Sequence, residues 1–375
     1  MVCWMTAGIR IHLPDQAATT ARRVLDQLHG WLNSLGLSEW VTCSIGFGLG
    51  WVLLNLAGEL QAAPWALSCD TLGLCTAFGD GNGNGLDLAQ ETVLAMLFAP
   101  LPLTFPNLAE LQSHVRIRVN IADTARKAEL RFDTDAVDRP DGYWHYDEDH
   151  GFLLKEGQPL VEALTSALIP DASGRTYSFS CYRASEYVVL LGIARELEAT
   201  HPALLEALEA RWRTRPIASR RFHDAFVHEV GSAEAPVPMH YYIPGDRVWF
   251  RNPDEASSDV SGYEGSWVIY LGGGKFANFW QRGAPFDLRG KCLEVYFWRD
   301  ALRVDAQGNQ FIDEARVTQL RAQVAEGSAL EASILQRMRR YRDASGTYRD
   351  GGCIDSTREF VNFIHSGAPR IQFDA

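Results

Sequence analysis

The order of hydrophobic patterns along this chain predicts an α+β fold. Helical periodicity dominates up to about residue 213, short strands bounded by turn residues run from 239 to 312, and helices return at 313–341. Strands gathered in one block, not alternating with helices, point to an antiparallel sheet and exclude a doubly wound parallel one. No internal repeat competes with this reading.

Residues 14–37 form the first expected helix: Val24, Leu25, Leu28, Trp31, Leu32 and Leu35 recur at helical spacing, and Gly36 suits its end. The stretch 41–58 carries no charge in eighteen positions. Its length allows a membrane span. Gly46, Gly48, Gly50 and Asn55 dilute its hydrophobicity and no basic flank orients it, so a buried glycine-rich segment is expected, with a membrane or pore-forming segment as the alternative. LAQETVLAMLF reads as a helix, and Pro100, Pro102 and Pro106 place a boundary near residue 104. Helices follow at 107–128 and 160–168, with a hairpin between them in GYWHYDEDHGFLLKEG. An apolar helix at 182–198 precedes an amphipathic one at 203–213. HYYI, RVWF, WVIYLGGGKFANFW and EVYFW read as strands, and LRVD-AQGN-QFID as a hairpin. The last helices are 313–325, 328–341 and a short one at 354–364. The expected division is an N-terminal extension, helical and Gly-rich, over 1–104, a core over 105–345 and a tail over 346–375.

Composition narrows the function. With 35 Lys and Arg against 47 Asp and Glu, the net charge is −12, which argues against nucleic acid and anionic membrane as general partners. The seven cysteines are scattered, odd in number and without a CxxC, so a reducing compartment fits better than a disulfide scaffold or zinc site. MVCWMTAGIRIHLPDQ has no basic segment followed by an apolar one. A cytoplasmic location, or export without a classical signal peptide, is expected.

One cation motif stands out. In DGNGNGLDLAQE, Asp80, Asn82, Asn84, Gly85 and Glu91 match the spacing of a calcium loop, though Asp87 stands where an apolar residue normally packs. The alternative is a turn-rich loop opening the next helix. No other cofactor is implied.

The sharpest chemical candidate is Cys181, in RTYSFSCYRASEYVVLLGIAREL, where a polar turn becomes an apolar helix. Free amides and the dipole at a helix start favour an anion, which would lower the thiol pKa and supply a nucleophile. Alternatively, Cys181 is an ordinary core thiol. Cys353, with His365 downstream, is a second and weaker candidate, because twelve residues of helix would separate the two by about 18 Å.

Several segments resemble, in order, the bacterial spore-coat type of protein-glutamine gamma-glutamyltransferase, with the core of NlpC-like, papain-like cysteine enzymes. They are AELQSHVRIRVNIADTAR, GYWHYDEDHGFLLKEG, FSCYRA, YYIPGDRVWFRNPD, VIYLGGGKF and LRAQVAEGSALEASIL, spanning about 105 to 341. The resemblance implies Cys181 as nucleophile. It also implies a thioester with a protein glutamine, and transfer to a lysine amine or to water. The implied partner is a protein with exposed glutamine and lysine.

The departures bear on mechanism. Ser266 stands where the family has its catalytic Glu and the cell-wall peptidases have a His, and Ser180 replaces the Glu before the nucleophile. Serine is no base near neutral pH without activation. Glu264, two residues away and so on the same strand face, and His240 are the two expected substitutes, with Asn278 orienting them. Each also reads as an ordinary surface residue. Three functions remain open: glutamine acyl transfer or deamidation, a catalytically impaired binding or regulatory protein, and a papain-like peptidase or amidase. The residues 1–104 would suit a delivered effector.

Overall fold

The computed structural model describes residues 8–15, 17–46, 50–78, 86–134, 136–216, 218–343, 351–364 and 371. Mixed helices and sheets bear out the α+β class. Two sheets organise the molecule. The smaller has four strands in the order Val41–Gly46, Trp51–Leu56, Ile9–His12, Leu103–Phe105. The larger runs Phe286–Asp287, Lys275–Phe276, Gly265–Gly272, Arg247–Arg251, Arg358–Val361, Val227–Val230, and every pairing in it is antiparallel.

Four expectations change. The uncharged stretch 41–58 is a hairpin whose second strand alternates half-buried and buried residues, and no helix among the described residues is long and apolar enough to cross a membrane. The boundary near 104 falls inside strand Leu103–Phe105, which pairs with Ile9–His12. Ile9, Ile11 and Leu54 share one core with Leu111, Val115, Tyr241 and Phe360. HYYI is not a strand. Tyr242 N–H donates to Thr71 Oγ1 at 2.7 Å, away from any neighbouring strand. EVYFW lies within helix Leu288–Ala301, opened by Asp287, whose side chain accepts from Gly290 N–H at 2.6 Å. Its aromatic and β-branched residues imitate a strand, but Leu288, Cys292, Val295 and Trp298 bury one helical face.

The tail is the largest correction. Instead of a helix at 354–364, strand Arg358–Val361 sits in the six-stranded sheet between Arg247–Arg251 and Val227–Val230. All four of its residues are buried. A strand covered on both faces shows no alternation to read.

Against the larger sheet lies helix Cys181–Thr200, buried along most of its length. It packs on helix Leu108–Lys127 at Gly192, where a Cβ would stand 2.4 Å from Ile121 Cγ1 and 3.2 Å from the Ile117 carbonyl oxygen. The helix axes can approach this closely only because position 192 has no side chain. Gly192→Ala is therefore expected to lower stability by about 1–3 kcal/mol through overpacking. This holds although alanine is favoured over glycine by about 1 kcal/mol in an unhindered helix. Urea unfolding with an unchanged slope and a lower midpoint would show it.

Candidate active site

Cys181 is the first residue of helix Cys181–Thr200, as the sequence leads one to expect, and Ser180 caps it by accepting from Arg183 N–H at 3.2 Å. The sulfur opens onto a cavity of about 350 Å³. The amide N–H groups of Tyr182, on its own helix, and Trp267, on strand Gly265–Gly272, favour its thiolate. The charges of Lys291 and Arg247 act on it as well. Burial nonetheless pushes the thiol pKa up, against the lowering expected from a helix start. Desolvation of the sulfur outweighs the amides and positive charges that favour the thiolate.

Arg247 fixes this geometry. Its Nε donates to Ser185 Oγ at 2.8 Å, and its NH1 to both Glu359 oxygens at 2.9 and 2.8 Å. Its guanidinium lies 3.8 Å over the Trp267 ring and 4.7 Å from that of Tyr182.

Of the sequence candidates, Ser266 and Asn278 line the cavity with Cys181. Glu264 does not line it. It lies at a bend before the strand, exposed, so strand parity does not turn it inward. His240 is also elsewhere: its Nδ1 lies 3.7 Å from Asp70 Oδ2, and its carbonyl accepts from Thr71 N–H at 3.1 Å. Asn278 orients neither residue. Its Oδ1 accepts from Trp280 N–H and its Nδ2 donates to the Ala284 carbonyl, each at 3.2 Å. Cys353 is fully buried, 3.7 Å from the Cys292 sulfur, and donates to the Met338 carbonyl at 3.2 Å; His365 lies outside the described residues.

The remaining wall was not foreseen. Phe132, Tyr263, Trp280, Phe286 and Trp298 surround the cavity, and Glu294 and Glu314 enter it from helices Leu288–Ala301 and Glu314–Gln323. Lys291 Nζ donates to Glu294 Oε1 at 2.6 Å, and Arg321 lies 3.3 Å from its other oxygen. Tyr263 O–H donates to Glu314 Oε1 at 2.8 Å. A second cavity, lined by Arg126, Lys275 and Arg282, adjoins the first through Asn278 and Gln281.

In the calcium pattern, Asp80, Asn82 and Asn84 lie outside the described residues. Glu91, its last oxygen ligand, is turned inward on helix Leu88–Leu97. It accepts from Gly273 N–H at 2.9 Å and Tyr270 O–H at 3.2 Å. Asp87, the misfit of the pattern, caps this helix.

The family model of protein-glutamine gamma-glutamyltransferase matches residues 81–349. The chain belongs to this family. Among solved structures, a transglutaminase from Geobacillus stearothermophilus, without its C-terminal extension, is 19% identical with a TM-score of 0.39, over 57% of this chain and 98% of that one. No curated protein sequence matches. In this family member the motif residues have visible work. Asp246 of Pro-Gly-Asp accepts from Arg118 NH1 at 2.7 Å and from Ile243 N–H at 2.8 Å. Asn252 of the following Asn-Pro donates to the Tyr263 carbonyl at 2.9 Å, holding the loop that leads to the cavity.

Among the cysteines of the described residues, Cys181 should be the thiol that labels first. Cys292 and Cys353 are sealed in the core, and burial pushes the Cys43 and Cys75 thiols up to about 11 and about 12. Iodoacetamide followed by peptide mapping should find Cys181 modified first. Because its pKa is raised, the labelling rate should still be climbing above pH about 8.5, where an ordinary thiol is half ionised.

Proposed function

We propose that this family member is a cysteine-dependent acyl transferase acting on glutamine side chains of proteins, with Cys181 as nucleophile. The observation that carries the reading is the placement of Cys181. It starts a helix packed on an antiparallel sheet and faces a cavity lined by aromatic rings and two carboxyls. Such a cavity suits a side chain with an apolar stem and a polar tip, which describes glutamine. A nucleophile opening a helix against a sheet is also the arrangement of papain-like enzymes, and the core is read that way.

The Cys181 thiolate attacks the carboxamide carbon, and the C–N bond breaks to release ammonia and leave a thioester. The Tyr182 and Trp267 amides and the Lys291 and Arg247 charges favour the thiolate against the cost of burial. A lysine amine then takes the acyl group, forming an isopeptide link, or water takes it, leaving glutamate. The acceptor decides between crosslinking and deamidation.

A second reading is supported by Ser266 at the family's carboxylate position: a scaffold that binds glutamine-bearing proteins without turning them over. Cys181→Ala separates the two. It should abolish ammonia release from a glutamine-containing protein, because no covalent step remains. The circular dichroism spectrum and melting temperature should hold within a few degrees. Cys353→Ala should retain the activity. Ammonia release undiminished in Cys181→Ala would remove Cys181 as the nucleophile, and none from the unaltered chain would remove the enzyme reading.

A further inference from the structure

Acyl transfer at Cys181 has a proton to move at every stage, and Ser266 cannot move it. The cavity holds two carboxyls that differ in what they bind. Glu294 is engaged by two cations, Lys291 and Arg321. Glu314 is engaged by a phenol, Tyr263 O–H at 2.8 Å, and a phenol can pass a proton on. Tyr263 and Cys181 line the same cavity. Three contacts hold the phenol in place. Asn252 Nδ2 donates to the Tyr263 carbonyl at 2.9 Å, and the rings of Trp298 and Phe132 meet the Tyr263 ring edge-on at 5.2 and 5.8 Å. Two of the ring's neighbours, Phe132 and Trp298, line the same cavity.

We propose that Tyr263 and Glu314 form the proton relay that serves Cys181 in place of the strand carboxylate. The proposal rests on the acyl-transfer reading. Tyr263 is its catalytic group, and Glu314, acting through it, is a positioning residue and proton reservoir. As sulfur bonds to the carboxamide carbon, the thiol proton passes by way of one water in the cavity to the Tyr263 oxygen, while the Tyr263 hydroxyl proton passes to the Glu314 carboxylate. As the C–N bond breaks, the proton returns by the same path to the departing nitrogen. Ammonia leaves neutral, and Glu314 is a carboxylate again. In the second half, an N–H proton of the acceptor amine, or an O–H proton of water, follows the path to Glu314 as the new bond forms. The C–S bond breaks and the sulfur recovers the proton. Atoms and charge balance, and no further reactant enters.

The groups facing Glu314 make its ionisation readable. Burial pushes its carboxyl above the ordinary range, the bond from Tyr263 opposes this, the Glu294 charge adds to the rise, and the Lys291 and Arg321 charges oppose it. The relay needs the carboxylate form, so turnover should fall as pH drops through a value above that of an ordinary glutamate, about 4.3.

The test measures kcat and KM across pH, using the full chain and an N-terminally blocked Gln-Gly dipeptide, with ammonia as readout. Glu314→Gln and Tyr263→Phe should each lower kcat by about 10²–10³-fold, in the range of lost general acid–base catalysis, with KM changed less than about threefold. Glu314→Gln should also erase the acid limb of the pH profile, Glu314→Asp should restore part of the rate, and the double variant should be no slower than the worse single one. Should Glu314→Gln fail to fold, Tyr263→Phe, which keeps the ring, decides alone. A variant with the rate and pH profile of the unaltered chain overturns the relay. No ammonia from the unaltered chain overturns the acyl-transfer reading, and the relay with it.

Discussion

The buried guanidinium of Arg247 is the joint on which the site is hung. It reaches helix Cys181–Thr200 through Ser185, the strand Arg358–Val361 through Glu359, and the Trp267 ring by stacking, all at once. Those three pieces place the thiol, close the sheet and present an amide to the sulfur. A charge so fully out of water is tolerated only with its partners in place. Removing one partner of a buried pair typically costs about 3–5 kcal/mol, whereas a matched apolar replacement of the whole pair is often neutral. The pair therefore contributes more to geometry than to net stability. Its planar donors admit one arrangement of helix, strand and ring, which lysine would not enforce.

A second buried pair ties the N-terminal part of the core to the same framework. Arg118, on helix Leu108–Lys127, bonds Asp246 in the turn that precedes strand Arg247–Arg251. Gly245 in that turn has a φ of +85°, and a Cβ there would stand 2.7 Å from the Arg118 carbonyl oxygen. Pro-Gly-Asp is thus a clamp between helix and sheet. The first hundred residues join the clamp from the other side. Thr71 Oγ1 donates to the Tyr242 carbonyl at 2.6 Å, and Glu91 grips the Gly273 amide beyond strand Gly265–Gly272. Residues on both sides of position 104 thus share one core.

Much of this was legible in the residues. Helices with one polar face were read closely, as with Ala18–Ser34 and Leu108–Lys127, because one exposed face writes a period into the sequence. Cys181 was legible because a helix start is a local event, marked by serine before it and apolar residues after. Two elements were misread: EVYFW, within helix Leu288–Ala301, as a strand because of its aromatic and β-branched residues, and the fully covered strand Arg358–Val361 as part of a helix. Burial there removes the alternation that distinguishes the two. The direction of the Cys181 thiol shift was missed for a related reason: the dipole is local, but the desolvation comes from tertiary packing. Glu314 was out of reach altogether. It lies 51 residues from the tyrosine it bonds, and nothing in ARVTQLRAQ announces a partner. An acid at a helix start reads as ordinary capping.

The placement of strand Arg358–Val361 has a consequence for how the protein is made. In the sheet it separates Arg247–Arg251 from Val227–Val230, strands synthesised more than a hundred residues earlier. Until the ribosome has released residue 361, both flanking strands wait with an open edge, and Arg247 waits without Glu359. At about 5–20 residues per second that interval lasts roughly 5–20 seconds. An unpaired edge is a template for the wrong neighbour. The nascent chain therefore has its thiol, its cavity walls and most of its helices in hand before the sheet that aligns them can close. In the cell, this interval is when it most needs a chaperone.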